Sequence, residues 1–191
     1  SYTDGKLDGL NFEWYENGQE KSKLSYKDGK RDGLHTKWYE DGKKKIEENF
    51  EDGKKNGLFT FWSPYGHKIY EGIYKDGERD GLHTEWNKNG QKNYELNYTE
   101  KNKHVQKYYE TSYKNGIKNL DKSYKNGKKD GQYIEYYGNG NKKYEYNYKD
   151  GKEDGVCTGW YLNGKKKWEE IYQDGKIVSF RNWNPDGSVK E

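Results

Sequence analysis

The chain has 191 residues, of which 28% are hydrophobic, 36% charged and 17% aromatic, and 36 basic side chains against 33 acidic ones leave a net charge of +3. So small an aliphatic content excludes an ordinary globular core, where apolar residues approach half, while 21 Tyr and 7 Trp exclude a disordered chain, which is poor in aromatics. The near balance of charge argues against a phosphate-binding field, and a lone cysteine, Cys157, cannot form an intramolecular disulfide.

From the first residues onward the sequence repeats itself. Gly5, Gly29, Gly53 and Gly77 stand 24 apart, and Gly127, Gly151 and Gly175 resume the spacing. Gly9, Gly33, Gly57, Gly81, Gly131 and Gly155 form a second series, and Gly18, Gly42, Gly66, Gly90, Gly116, Gly140 and Gly164 a third. Trp14, Trp38, Trp62, Trp86 and Trp160 form a fourth, with Tyr136 in phase. Self-similarity of this period is the mark of a repeat architecture.

Each repeat holds two short runs, Leu10–Tyr15 and Gln19–Tyr26 in the first, rich in Tyr, Trp, Thr and Leu and alternating with period two. They read as strands, and no stretch keeps a helical period. The fold class expected is all-β: an elongated, twisted, single-layer antiparallel meander of tandem β-hairpins, about 16 strands and on the order of 75 Å long. Residues 1–191 read as one domain of eight repeats. Repeat five, 98–123, is irregular: Tyr98 to Val105 lacks both turn glycines, and two residues are inserted before Gly116.

Asn17-Gly18 would suit a two-residue type I′ hairpin. The equivalent triplets Pro64-Tyr65-Gly66 and Pro185-Asp186-Gly187 argue instead for a three-residue loop, because proline suits the second position of a type I turn and a positive φ is costly at Tyr65. A type I turn closed by a left-handed glycine sets Tyr15 opposite Gln19, Trp14 opposite Glu20, Glu13 opposite Lys21 and Phe12 opposite Ser22. Elsewhere this register pairs Phe61 with Ile69, Glu135 with Lys143, and Thr36, Thr60 and Thr84 with Ile46, Tyr70 and Tyr94. Lys37–Lys45 is a discordant pair. Leu10, Phe12, Trp14, Ser22, Leu24 and Tyr26 then share an aromatic face. Asn11, Glu13, Tyr15, Lys21 and Lys23 share a charged one.

No catalytic constellation emerges. His35 and His83 recur at one repeat position, opposite Glu47 and Glu95 in this register, as exposed pairs about 19 Å apart, too far to share a metal. His67 and His104 have no suggestive neighbours. Cys157, with Glu169 opposite, lacks a histidine base. The Asp-Gly pairs lack the dense acidic ligands of a calcium loop and read as turns. Lys44, Lys68, Lys92, Lys142 and Lys166, opposite Trp38, Trp62, Trp86, Tyr136 and Trp160, read as cation–π and stem packing rather than as a nucleic-acid surface.

The run Tyr26-Lys-Asp-Gly29-Lys-Arg-Asp-Gly33-Leu34, followed by Trp38-Tyr-Glu-Asp-Gly42, resembles the MORN repeat, in the bacterial variant whose second half reads W-Y-x-N-G. The likeness covers nearly the whole chain and is weakest in repeat five. It implies a twisted single-layer sheet, roles in protein contact, scaffolding or membrane-lipid association, and, in many bacterial relatives, an antitoxin component of a toxin–antitoxin pair. It implies no shared catalytic residue.

The function expected is a non-catalytic repeat scaffold that binds another protein or itself, with no cofactor and no metal. On the aromatic face the candidate contacts are Trp14, Trp38, Trp62, Trp86, Tyr136 and Trp160. On the charged face they are Tyr15, Tyr39, Phe59, Phe61, Tyr133, Tyr137 and Tyr161. Acids at one repeat position of that face (Glu47, Glu71, Glu95, Glu145 and Glu169) argue against an anionic membrane, and the balanced charge argues against nucleic acid. Carbohydrate or cell-wall binding through exposed aromatics is a further alternative. With no Met and a start at Ser1, the chain reads as a processed form or a fragment; its location is not fixed by the sequence, with secreted or cell-surface favoured over cytoplasmic.

Overall fold

A computed structural model describes residues 2–3, 5–101 and 104–191, with side chains for 5–99 and 109–191. The described residues contain no helix. They divide into two compact halves, one of residues 1–91 and 98–105, the other of 92–97 and 106–191. Each half is an open antiparallel meander in which consecutive strands pair with their neighbours in sequence.

The first repeat shows how the unit is built. Strand one is Gly9–Trp14 and strand two is Glu20–Lys27. Between them the Gly18 N–H donates to the Tyr15 carbonyl at 3.0 Å, the Tyr15 N–H donates to the Gln19 carbonyl at 2.8 Å, and Gly18 is left-handed at φ 82°. This is the three-residue loop that the prolines required. The same two bonds recur at Tyr39, Ser63, Asn87, Tyr137, Tyr161 and Asn184. The return connection is a different turn. Asp28 and Gly29 both have positive φ, 51° and 82°, a type I′ turn that matches strand twist, and five further Asp-Gly or Asn-Gly pairs in this phase repeat it.

Repeat five departs from its expected loop. Asn115 and Gly116 take φ of 53° and 76° between the paired residues Lys114 and Ile117, so Gly116 closes a two-residue turn rather than ending a three-residue loop. Asn102 and Lys103, at the centre of the irregular stretch, lie outside the described residues, as does the side chain of His104.

The register holds at the loop and then slips. Trp14 opposes Glu20 as expected, but the next pairs are Glu13–Ser22, Phe12–Lys23, Asn11–Leu24 and Leu10–Ser25. Lys21 is an extra residue, a β-bulge. The slip recurs at Lys45, Ile69, Lys143 and Lys167. Glu13–Lys21, Phe12–Ser22, Phe61–Ile69, Glu135–Lys143, Thr36–Ile46, Thr60–Tyr70 and Cys157–Glu169 are therefore not cross-strand pairs. The observed partners are Phe61–Tyr70, Glu135–Tyr144, Thr36–Glu47, Thr60–Glu71 and Cys157–Glu170. The discordant Lys37 faces Ile46.

Because side chains alternate faces along a strand, one extra residue exchanges the faces of everything beyond it. Leu10, Phe12, Trp14, Glu20 and Lys23 lie on one face, the tryptophan face. Asn11, Glu13, Ser22, Leu24 and Tyr26 lie on the other, the tyrosine face. What the bulge achieves is visible in the ion pairs. Residues three apart on a regular strand point to opposite sides, yet Lys44–Glu47, Lys68–Glu71, Lys142–Glu145 and Lys166–Glu169 meet on one side.

Few aliphatics are buried: Leu24, Phe50, Ile134 and Cys157 are the buried hydrophobic residues among those described. The rest of the interior is aromatic and polar. On the tyrosine face of the first half, Phe59, Tyr70, Tyr74, His83 and Tyr98 pack edge to face at 5.0–6.0 Å between centroids. In the second half Tyr133, Tyr144, Tyr146, Tyr148 and Trp168 cluster at 5.8–6.4 Å, with Tyr133 edge to face against Tyr146 and Tyr148 and Tyr144 stacked on Trp168. Lys129 caps two of these rings, 4.4 Å from Tyr133 and 4.5 Å from Tyr148.

Candidate binding face

The tryptophan face of each half is a ladder of like rungs. In six of them a lysine of strand two is ion-paired to the acid three residues on, while its ammonium lies over the aromatic ring of the following repeat. Lys44 lies 5.9 Å from the Trp62 centroid, Lys68 6.0 Å from Trp86, Lys92 6.0 Å from Tyr113, Lys118 6.0 Å from Tyr136, Lys142 5.8 Å from Trp160 and Lys166 5.5 Å from Trp183. Their acids are Glu47, Glu71, Glu95, Asp121, Glu145 and Glu169. The cation–π contacts are real, but Lys44, Lys68, Lys142 and Lys166 reach past the tryptophan or tyrosine they oppose to the ring beyond it. The acids stand on this face, not on a separate charged one. Tyr113 and Trp183 belong to the ladder too; the insertion in repeat five hides the first and the missing residue before Trp183 hides the second.

The carboxylates are well held. Burial would raise the Asp121 pKa, but hydrogen bonds from Thr111, Tyr136, Tyr109 and Lys118 bring it below the usual carboxylate range. Glu95 is likewise lowered, by Lys92 and Tyr113. The same contacts, with burial as the larger cause, push the phenols of Tyr113 and Tyr136 far up.

Of the nominated aromatics, Trp14 is the most open at 58% exposed, and Trp38, Trp62, Trp86, Tyr136 and Trp160 are half-buried. Tyr15, Tyr39, Tyr137 and Tyr161 sit at the loops, where each hydroxyl donates to a backbone carbonyl of the next repeat: Trp38, Trp62, Trp160 and Trp183, at 2.7–2.8 Å. Phe59, Phe61 and Tyr133 are half-buried on the tyrosine face, so the face named for its charge carries most of the packed aromatics.

More exposed than any of these except Trp14 is an aliphatic row on the tryptophan face of the first half. Leu10, Leu34, Leu58 and Leu82 occupy one repeat position and are 47–50% exposed, and Ile73, opposite Leu58, is 42% exposed. The period of the leucines was visible in the sequence. Their exposure was not, because it depends on which face the bulge leaves them.

His35 and His83 are buried, whereas His67 is exposed. His35 Nδ1 lies 2.8 Å from Glu48 Oε1, not against Glu47, and Lys55 approaches the other oxygen at 2.9 Å. Burial opposes the Glu48 charge, and these two partners hold its pKa below the ordinary value. His83 bonds Tyr70 and, through Nε2, the Ile73 carbonyl at 2.7 Å, and burial lowers its pKa. Cys157 is fully buried, which raises its thiol pKa. Among the described residues no three His, Cys, Asp or Glu side chains are grouped to hold a metal.

Such hairpins define a class of repeat proteins whose surface is an array of like positions. Residues 7–28, 31–52, 79–100 and 129–150 match the model of the MORN repeat variant, and the chain belongs to the MORN-repeat family. No curated protein matches it. MORN repeats are in general non-enzymatic and are associated with protein or membrane-lipid binding.

Proposed function

We propose that the chain is a non-catalytic scaffold that binds another protein through its tryptophan face. The observation that carries this reading is the exposed row Leu10, Leu34, Leu58, Ile73 and Leu82, flanked by Lys–Glu pairs. An aliphatic centre with a charged rim is how protein interfaces are composed, and exposed apolar side chains grouped on one folded surface mark an interaction site.

Cross-linking mass spectrometry on complexes captured by the purified chain tests it, beside the variant Leu58→Lys/Leu82→Lys. Cross-links should map to the tryptophan face, and the variant should lose the complexes while keeping its thermal midpoint. Cross-links confined to the tyrosine face, or complexes unchanged by the double variant, would overturn the reading. Light scattering over a concentration series identifies the case in which the partner is a second copy. A lipid role is less favoured, because each lysine of the ladder is already neutralised by its acid. Strong flotation of the chain with anionic liposomes at low salt would reverse that ranking.

A further inference from the structure

Six rungs of the ladder obey one rule and the first breaks it. Glu20 stands where the lysine belongs, and Lys23 where the acid belongs. Phe12 replaces the threonine of repeats two to four, and the Lys23 ammonium lies 5.6 Å from its centroid rather than in an ion pair. Among the described residues, therefore, no cation lies over Trp38, the ring that this rung should cover, and none pairs with the exposed Glu20 carboxylate. A groove of about 470 Å³ opens there, lined by Leu10, Glu20, Lys23, Leu34, Thr36 and Trp38 among others. Lys44, also on its wall, is committed to Glu47 and Trp62.

We propose that this groove takes a lysine side chain of the protein partner, its ammonium over Trp38 and beside Glu20, its alkyl stem along Leu10 and Leu34. The inference rests on the tryptophan face being the protein-binding surface, and it names the chemistry recognised there. The occupant is read from the molecule itself. At six other rungs the place over the aromatic ring is filled by an ammonium on an alkyl stem, held by a carboxylate. The first rung has the ring, Trp38 of the second repeat, and a carboxylate, Glu20, and withholds the lysine. Aromatic faces attract ammonium groups through their quadrupole, and aliphatic walls suit a lysine stem. Of the two lysines on the wall, Lys44 is paired with Glu47, and Phe12 draws Lys23 aside.

The experiment is a titration of the whole chain with Nα-acetyl-lysine methylamide, followed by the indole N–H signal of Trp38 in a ¹H–¹⁵N spectrum, with the norleucine analogue as the uncharged control. The lysine probe should displace the signal saturably and the norleucine probe should not. Glu20→Gln should weaken binding about fivefold, the scale of a partly exposed charge contact. Lys23→Glu should strengthen it by a similar factor. The double variant Glu20→Lys/Lys23→Glu restores the rung found elsewhere, so the chain's own lysine should fill the groove and abolish binding. An equal response to norleucine, or undiminished binding by the double variant, overturns the proposal. Loss of this site with loss of complexes in Leu58→Lys/Leu82→Lys retained would refute the lysine groove and leave the binding face standing.

Discussion

Gly72 is the residue whose replacement should cost most for its size. It is buried between Phe59 and His83 on neighbouring strands. A Cβ added there would stand 2.6 Å from Cε1 and 2.8 Å from Cγ of His83, and closer still to Nδ1. Ordinary contact begins near ~3.4 Å, so the imidazole must retreat by roughly 1 Å. It is anchored at both ends, to Tyr70 and to the Ile73 carbonyl. A retreat therefore breaks at least one bond and leaves a buried polar group unpaired, at about 1–3 kcal/mol, on top of about 1–3 kcal/mol for overpacking. Gly72→Ala should thus destabilise by ~3 kcal/mol. Urea unfolding of Gly72→Ala, His83→Ala and the double variant separates the clash from any intrinsic effect of alanine. With the imidazole gone the new methyl has room, so the double variant should be no less stable than His83→Ala. The coupling should then be about 2 kcal/mol or more. Additive losses, or a Gly72→Ala effect below about 0.5 kcal/mol, would refute the reasoning.

Deleting Lys45, the extra residue of its bulge, should leave Trp38–Lys44 and Lys37–Ile46 adjacent and every face unchanged, whereas deleting Glu47 forces Ile46 or Glu48 across the sheet. The thermal midpoint should fall far more for the second deletion, and equal losses would discredit the bulge assignment. His83 has a folded pKa below its unfolded value, so the unfolded chain binds its proton first and stability falls as pH drops through about 6.5. His83→Gln should flatten the slope of unfolding free energy between pH 7.5 and 5.5, and an unchanged slope counts against the buried neutral ring. Burial and acidic partners raise the phenols of Tyr113, Tyr133, Tyr136 and Tyr148, and that of Tyr172 to about 12. Stability should then decline as pH rises past the ordinary tyrosine range near ~10. Absorbance at 295 nm should show the held set titrating only with unfolding; their ionisation near pH ~10 with the fold intact would contradict this.

The strands and loops were legible because their determinants are local. A 24-residue period, alternation over six to eight residues, and prolines at Pro64 and Pro185 fix the hairpins and the type I loop without any knowledge of neighbours. Strand ranges came within a residue or two of Gly9–Trp14 and Glu20–Lys27. The faces were not legible in the same way, because a bulge is one residue that no turn signal announces. Its trace was the misfit at Lys37–Lys45, two like charges set opposite each other. A second trace was the Lys-x-x-Glu spacing of Lys44 and Glu47, which makes an ion pair on a strand only if something between the two exchanges the faces. Reading that spacing as evidence of a slip, rather than reading the register first, would have placed the acids beside the tryptophans.

The two histidines mark the remaining limit. His35 and His83 occupy the same repeat position, and position alone predicts the same surroundings for both. Their settings diverge through the residues across the sheet. The register that pairs Lys23 with Thr36 sets Leu24 across from His35 on one side, and Glu48 receives the ring on the other. His83 finds Gly72 where its counterpart meets leucine, and its imidazole occupies the space left by the absent side chain. A tandem array therefore fixes the backbone by what its repeats share and sets the chemistry by where they differ. That logic holds on the opposite face, where Glu20 and Lys23 exchange the charges of every later rung. In a fold with so few buried aliphatics, the departures from consensus are the places to look for recognition.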